Sequence, residues 1–233
     1  MKNRLVPVVS ALMAGITLAY PALSQVTTQT APVQVIMKAP APAAVVTAST
    51  SPSATENLRN IKATLGAVQS NVTSTMAALN ALKKAAKDKG GLEGPSADFM
   101  SQSQALEAQV NALKTQAADA KANIDAYFQN WQNSISSIQN KDIKETATDR
   151  LNTAKSRYGR AIGTADEARK KLQPFLADLK DVSTFVKVDL TADSVNSLSN
   201  TVWRMGRNAE SAVDGIADVV KDIDITLESL PKN

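Results

Sequence analysis

Asp214, Asp218 and Asp222 recur at every fourth position near the C-terminal end of the chain, with Glu210 and Asp224 close by. On a helix this spacing places carboxylates on one side, where they can bind a divalent cation weakly or oppose a basic partner. Calcium asks for about six to eight oxygens, usually supplied by a loop, and no such loop is present. The plainer expectation is a solvated acidic face turned toward the first helix. Lys83, Lys84, Lys87 and Lys89 form a second cluster. It suits a phosphate, a lipid head group or a wall anion, or simply the negative end of a helix dipole. Arg157, Arg160, Arg169, Lys170 and Lys171 interleave with Asp166 and Glu167 in the pattern of ordinary surface ion pairs. Trp203 sits beside an apolar seam position, Val202, with Arg204 and Arg207 flanking it. A tryptophan next to arginines is the composition of an interface hot spot. The other reading has the indole covering a neighbouring helix or a Gly-rich turn.

Absences narrow the chemistry further. The 233-residue chain contains no cysteine and no histidine, which excludes disulfides, thiolate nucleophiles, Cys/His zinc or haem sites and every imidazole-based triad. Gly90-Gly91 follows a helical stretch and lacks the spacing of a phosphate loop. Asn71-Val-Thr73 matches the glycosylation triplet but falls in mid-helix. An enzyme would need Asp, Glu, Lys, Ser or Tyr alone, so we expect no catalytic activity, no cofactor and no metal. The interaction candidates are Trp203, Arg204 and Arg207.

The N-terminal residues read as a targeting segment. Met1-Lys-Asn-Arg4 is a short basic start, Leu5 to Ala19 is apolar and uncharged, and Ala22 and Ser24 are small residues at the −3 and −1 positions of a cleavage site. The apolar run falls short of the ~20 residues a bilayer requires. Residues 1–24 are therefore expected to be a secretory signal cleaved after Ser24, giving a periplasmic or secreted protein. Without cysteine no lipid anchor can form. The remaining chain would carry 24 basic and 22 acidic residues, too balanced a charge to attract nucleic acid. Residues 25–52 hold four prolines and one charge, Lys38, the composition of a disordered, extended linker.

From residue 53 to 231 the chain reads as four heptad helices, over about 55–89, 97–139, 143–188 and 192–230. In the first, seven of the eight seam positions 58, 61, 65, 68, 72, 75, 79 and 82 are apolar, with Thr75 the exception. Ser53 and Glu56 have capping-box spacing, and Gly90 or Gly91 suits a left-handed C-cap. The second seam runs without a skip from Phe99 through Ser103, Leu106, Val110, Leu113, Ala117, Ala120, Ile124, Tyr127, Trp131 and Ser134 to Ile138. It places Tyr127 and Trp131 in the core, with Ser96 as cap. The third, capped by Asp142, runs from Ala147 to Val186 and stays in phase through Pro174, which predicts a kink rather than an end. The fourth, capped by Thr191, runs from Val195 to Leu230. Short turns between in-phase helices predict an elongated antiparallel, all-α four-helix bundle. A basic first helix and an acidic fourth favour their being neighbours. Heptads alone leave open whether the seams close within one chain or between two.

Gly90-Gly91-Leu92-Glu93 between the first two helices, Asp149-Arg150-Leu151 and Ser156-Arg157-Tyr158 in the third, and Pro174-Phe175-Leu176 through Phe185-Val186-Lys187 to Leu190 carry a resemblance. Residues 56–230 resemble a bacterial domain-of-unknown-function family, number 2959, of exported coiled-coil proteins and proteins classed as lipoproteins. The resemblance implies an envelope location and no established activity. The chain departs from the lipoprotein pattern in having no cysteine. Together these features lead us to expect a structural or protein-interaction role, as scaffold or adaptor, with a protein partner or self-association and a peripheral contact with the envelope. The alternatives are a periplasmic holdase sheltering apolar segments where the alanine-rich start of the third helix and Pro174 open a groove, and, less well motivated, a hydrolase using carboxylates.

Overall fold

The computed structural model describes residues 53–231, and the expected signal and linker lie outside them. The elements are α1 (Ala54–Lys87), α2 (Glu93–Ser136), α3 (Lys141–Val188), α4 (Ala192–Ser197) and α5 (Ser199–Ser229). α1 packs on α2, α3 packs on α5, and the two pairs meet through α1 with α4 and α5 and through α2 with α3. The described residues thus form an all-α, antiparallel four-helix bundle whose fourth member is α4 and α5 in succession. Register is visible in the cross-bridges. Asp178 meets Arg204 and Asp222 meets Arg160, so numbers fall on α5 as they rise on α3.

The heptad positions become the core because each lies on the side its neighbours cover. On α1 every seam position is buried except Ile61, which is half-buried. On α3 the buried series is Leu151, Ala154, Ala161, Ala168, Leu172, Phe175, Leu179, Val182 and Val186. α3 continues through Pro174. Its small residues let α5 approach closely: a Cβ on Gly215 would stand 3.1 Å from Ala168 Cα.

The far end of α2 departs from expectation. Tyr127 and Trp131 are only half-buried and Ser134 is exposed, while Phe128 and Ile135 are the buried residues there. Phe128 faces α3, with its ring centroid 5.8 Å from that of Tyr158. The expected seam continues in phase, but the described residues cover it only in part, Tyr127 and Trp131 packing along the edge of the core.

Ser53 forms the expected capping box with Glu56: its hydroxyl accepts from the Glu56 N–H, and its own N–H donates to the Glu56 carboxylate at 2.8 Å. These bonds hold the Glu56 carboxyl below its usual value. Other termini differ. α2 begins at Glu93, before Pro95, which has no N–H to satisfy in a first turn; Ser96 is inside the helix and buried. Asn140, not Asp142, caps α3 by accepting from the N–H groups of Asp142 and Ile143. Thr191 caps α4 as expected. The fourth helix is interrupted at Leu198, where the Ser197 and Ser199 hydroxyls donate to the carbonyls of Ser194 and Asn196, a local competition with the helical ladder. After α1 the left-handed position is taken by Lys89 (φ 53°), not by glycine. Gly90 N–H donates to Ala85 O and Lys89 N–H to Ala86 O, the paired bonds of a Schellman cap.

Candidate interaction surface

Val202 and Met205 belong to the buried side of α5, which turns Trp203 outward. The indole is 68% exposed, so most of it meets solvent rather than a neighbouring helix. Arg207, one turn on, holds its guanidinium carbon 5.6 Å from the ring centroid, a cation–π contact on an open face. Arg204 is committed elsewhere. Its Nη2 and Nε donate to the two carboxylate oxygens of Asp178 on α3 at 2.7 and 3.0 Å, and Asn208 donates to the same group at 3.3 Å. That bidentate hydrogen bond, with the charge of Asp178, raises the Arg204 pKa. Of the three candidates, Trp203 and Arg207 form one outward patch, and Arg204 links α5 to α3 beside it.

The acidic ladder is not one face. Asp222 is 4% exposed and turned to α3, not to α1. Its carboxylate accepts from Thr164 Oγ1 at 2.6 Å and Arg160 Nε at 3.2 Å, with Arg160 Nη2 at 3.1 Å from the other oxygen. Arg157 adds a bond to the Ile225 carbonyl at 3.1 Å. Arg157 and Arg160 are therefore not ordinary surface pairs; they stitch α3 to α5. Asp224 does face α1, accepting from Lys62 at 2.6 and 2.8 Å. Glu210, Asp214 and Asp218 remain exposed. Among the described residues no three carboxylates converge on a point suited to a metal ion.

The other groups behave as local surface chemistry. Lys84 pairs with Asp88 at 2.8 Å, and Lys170 with Glu167 at 2.7 Å. Both pairs are exposed and of small energetic weight. Burial pushes the Tyr158 hydroxyl up to about 12, the nearby Asp125 carboxylate adding to it, and more weakly raises Tyr127. The heptad pattern gives no account of the polar link of Asp222, Arg160 and Thr164. A signal was present: Asp222 directly precedes seam residue Ile223, and Arg160 and Thr164 are one turn apart on α3.

The family model of a protein of unknown function, DUF2959, matches residues 55–230. The match covers most of the chain, which therefore belongs to that family. No curated protein and no solved structure matches it.

Proposed function

We propose that this DUF2959 member is a non-enzymatic, exported protein of the cell envelope that acts as a scaffold or adaptor, binding a protein partner through the α5 face around Trp203. The observation that carries this reading is the exposed indole under Arg207. A large amphipathic ring is left in water with a cation against it, while Arg204 ties the helix below to Asp178 on α3. Rigid aromatic and arginine anchors concentrate binding energy at interfaces. The basic start, apolar run and small-residue site of residues 1–24 support export, and a bundle without imidazole or thiolate gives little reason to expect catalysis.

The test is cross-linking in cells expressing the tagged full-length chain, with fractionation and N-terminal sequencing of the recovered protein. We expect a chain beginning at Gln25 outside the cytoplasm and a reproducible cross-linked partner. That partner should be lost on Trp203→Ala, while helicity and thermal midpoint stay unchanged because the side chain is exposed. Identical cross-links from the variant, or a chain retained in the cytoplasm with residues 1–24, would overturn the proposal.

A further inference from the structure

The four-helix packing does not extend along the whole of α2 and α3. Thr64 of α1 bonds Gln116 of α2 at 2.7 Å. Because α1 begins at Ala54, its start is level with about residue 126 of α2, yet α2 continues to Ser136. In the same way Arg157 of α3 reaches Ile225 of α5. α5 ends at Ser229, level with about residue 153, while α3 has begun at Lys141. α2 and α3 thus run on together as an arm of about ten to twelve residues, ~15–18 Å long at 1.5 Å per residue. The helix positions that α1 and α5 occupy in the body are empty beside it among the described residues.

The arm keeps its apolar seams although the described residues cover them only in part. From residue 129 to 150 only Ile135 is buried. Tyr127, Trp131 and Ile138 lie half-buried on the α2 stripe, and Ile143 is 57% exposed on α3. Polar residues fill the rest, but not charges. Residues 126–140 contain no charged side chain, and their exposed positions are mostly Gln, Asn and Ser. The adjoining stretch of α3 balances Lys141, Lys144 and Arg150 against Asp142, Glu145 and Asp149. Aromatic residues with depleted charge mark the centre of a protein interface rather than a solvated tip.

We propose that two copies of this chain associate arm to arm, each α2–α3 arm supplying the two helices its partner lacks, so that the four-helix packing continues through a two-fold contact. The count matches: two positions are uncovered, and one partner arm brings two helices. The charge pattern matches as well. A two-fold contact sets a surface against its own copy, where a charged face would meet like charge, and the uncharged α2 stripe with a balanced α3 strip avoids this. The inference is independent of the Trp203 surface, which lies about 26 residues, ~39 Å along the helix, from the end of α5 at Ser229.

The test is analytical ultracentrifugation of the chain as recovered from cells, beside Ile143→Asp and Ser134→Lys, both at exposed positions. We expect a dimer dissociating in the micromolar range or tighter, with each substitution raising Kd at least ~10-fold, a change of about 1.4 kcal/mol. Far-UV circular dichroism should be unchanged, and Trp203→Ala should leave the dimer intact. Placing Trp203→Phe in the same chain isolates Trp131 fluorescence, which should become more accessible to acrylamide on dilution through the dissociation range. A monomer at about 100 μM, or a dimer indifferent to both substitutions, would overturn the inference. A monomer whose Trp131 is nevertheless shielded would overturn it in favour of a cover from the chain's own N-terminal residues.

Discussion

α3 behaves as two different helices along one continuous rod. From Leu151 to Val186 it has a buried or half-buried seam residue every three or four positions, against α5 and the rest of the bundle; from Lys141 to Arg150 it buries none. The local pattern alters little between these parts, since Ile143 and Ala147 prolong the apolar stripe outward. What changes is the number of neighbours. A heptad stripe states which side of a helix wants to leave water, and burial follows only where another helix arrives to accept it.

The largest expected effect lies in the body. Phe175 is fully buried, and Phe175→Ala should cost about 4 kcal/mol, lowering the thermal midpoint by roughly 8–16 °C for a folded unit of this size. Ile143→Ala on the arm, measured where the chain is monomeric, should stay within about 0.5 kcal/mol. Comparable losses at the two sites would show that the arm is already sealed within one chain. A cost at Ile143 that grows with protein concentration would sharpen the contrast by assigning it to association.

The second effect concerns how closely the body is drawn together. A Cβ at Gly215 would meet Ala168 Cα at 3.1 Å and Ala168 Cβ at 3.3 Å, and the first of these is backbone that cannot swing aside. Gly215→Val should therefore destabilise by about 2–3 kcal/mol, read as a lower urea midpoint at unchanged m-value. Gly215→Ala should show a smaller loss, since alanine regains about 1 kcal/mol of helix propensity. A neutral valine would mean that α3 and α5 separate easily, and that small residues do not set their spacing.

Much of this arrangement was legible in the amino-acid order. The seams of α1, α3 and α5 were readable because leucine, valine and alanine recur at strict three-four spacing, and the Ser53 box because its two partners are local. Three features were not. Ser96 looks like the cap of α2, but a proline in the first turn loses no hydrogen bond, and the helix starts before it. Helical spacing groups Asp222 with Asp214 and Asp218 on a solvated face; only the register of α3 against α5 shows that Arg160 and Thr164 await it. The intact period of Tyr127 and Trp131 points to the core, but helix length, not period, decides whether α1 is there to cover them. Trp203 could be recognised as off the seam, though its exposure depends on which neighbours pack around α5.

The smallest effect compares two polar residues that interrupt otherwise apolar seams, Thr75 in the body and Ser134 on the arm. Thr75 is fully buried, and its hydroxyl has no hydrogen-bond partner among the described residues. An unsatisfied buried hydroxyl costs about 1–3 kcal/mol, and threonine and valine have similar helix propensity and nearly the same volume. Thr75→Val should therefore stabilise the bundle by about 1 kcal/mol, raising the thermal midpoint by roughly 2–4 °C. Ser134 is exposed and its hydroxyl already donates to the Asn130 carbonyl at 2.9 Å, so Ser134→Val in the monomer should move the midpoint by no more than about 0.5 kcal/mol in either direction. In the proposed dimer the same change extends the apolar stripe between Trp131 and Ile138 and should tighten association. A gain at Thr75 at every concentration, joined by one at Ser134 only at high concentration, would show one seam satisfied within the chain and the other completed by its copy. A loss at Thr75 would instead mean that its hydroxyl bonds the carbonyl one turn back, and that the body tolerates polarity in its centre as readily as the arm does.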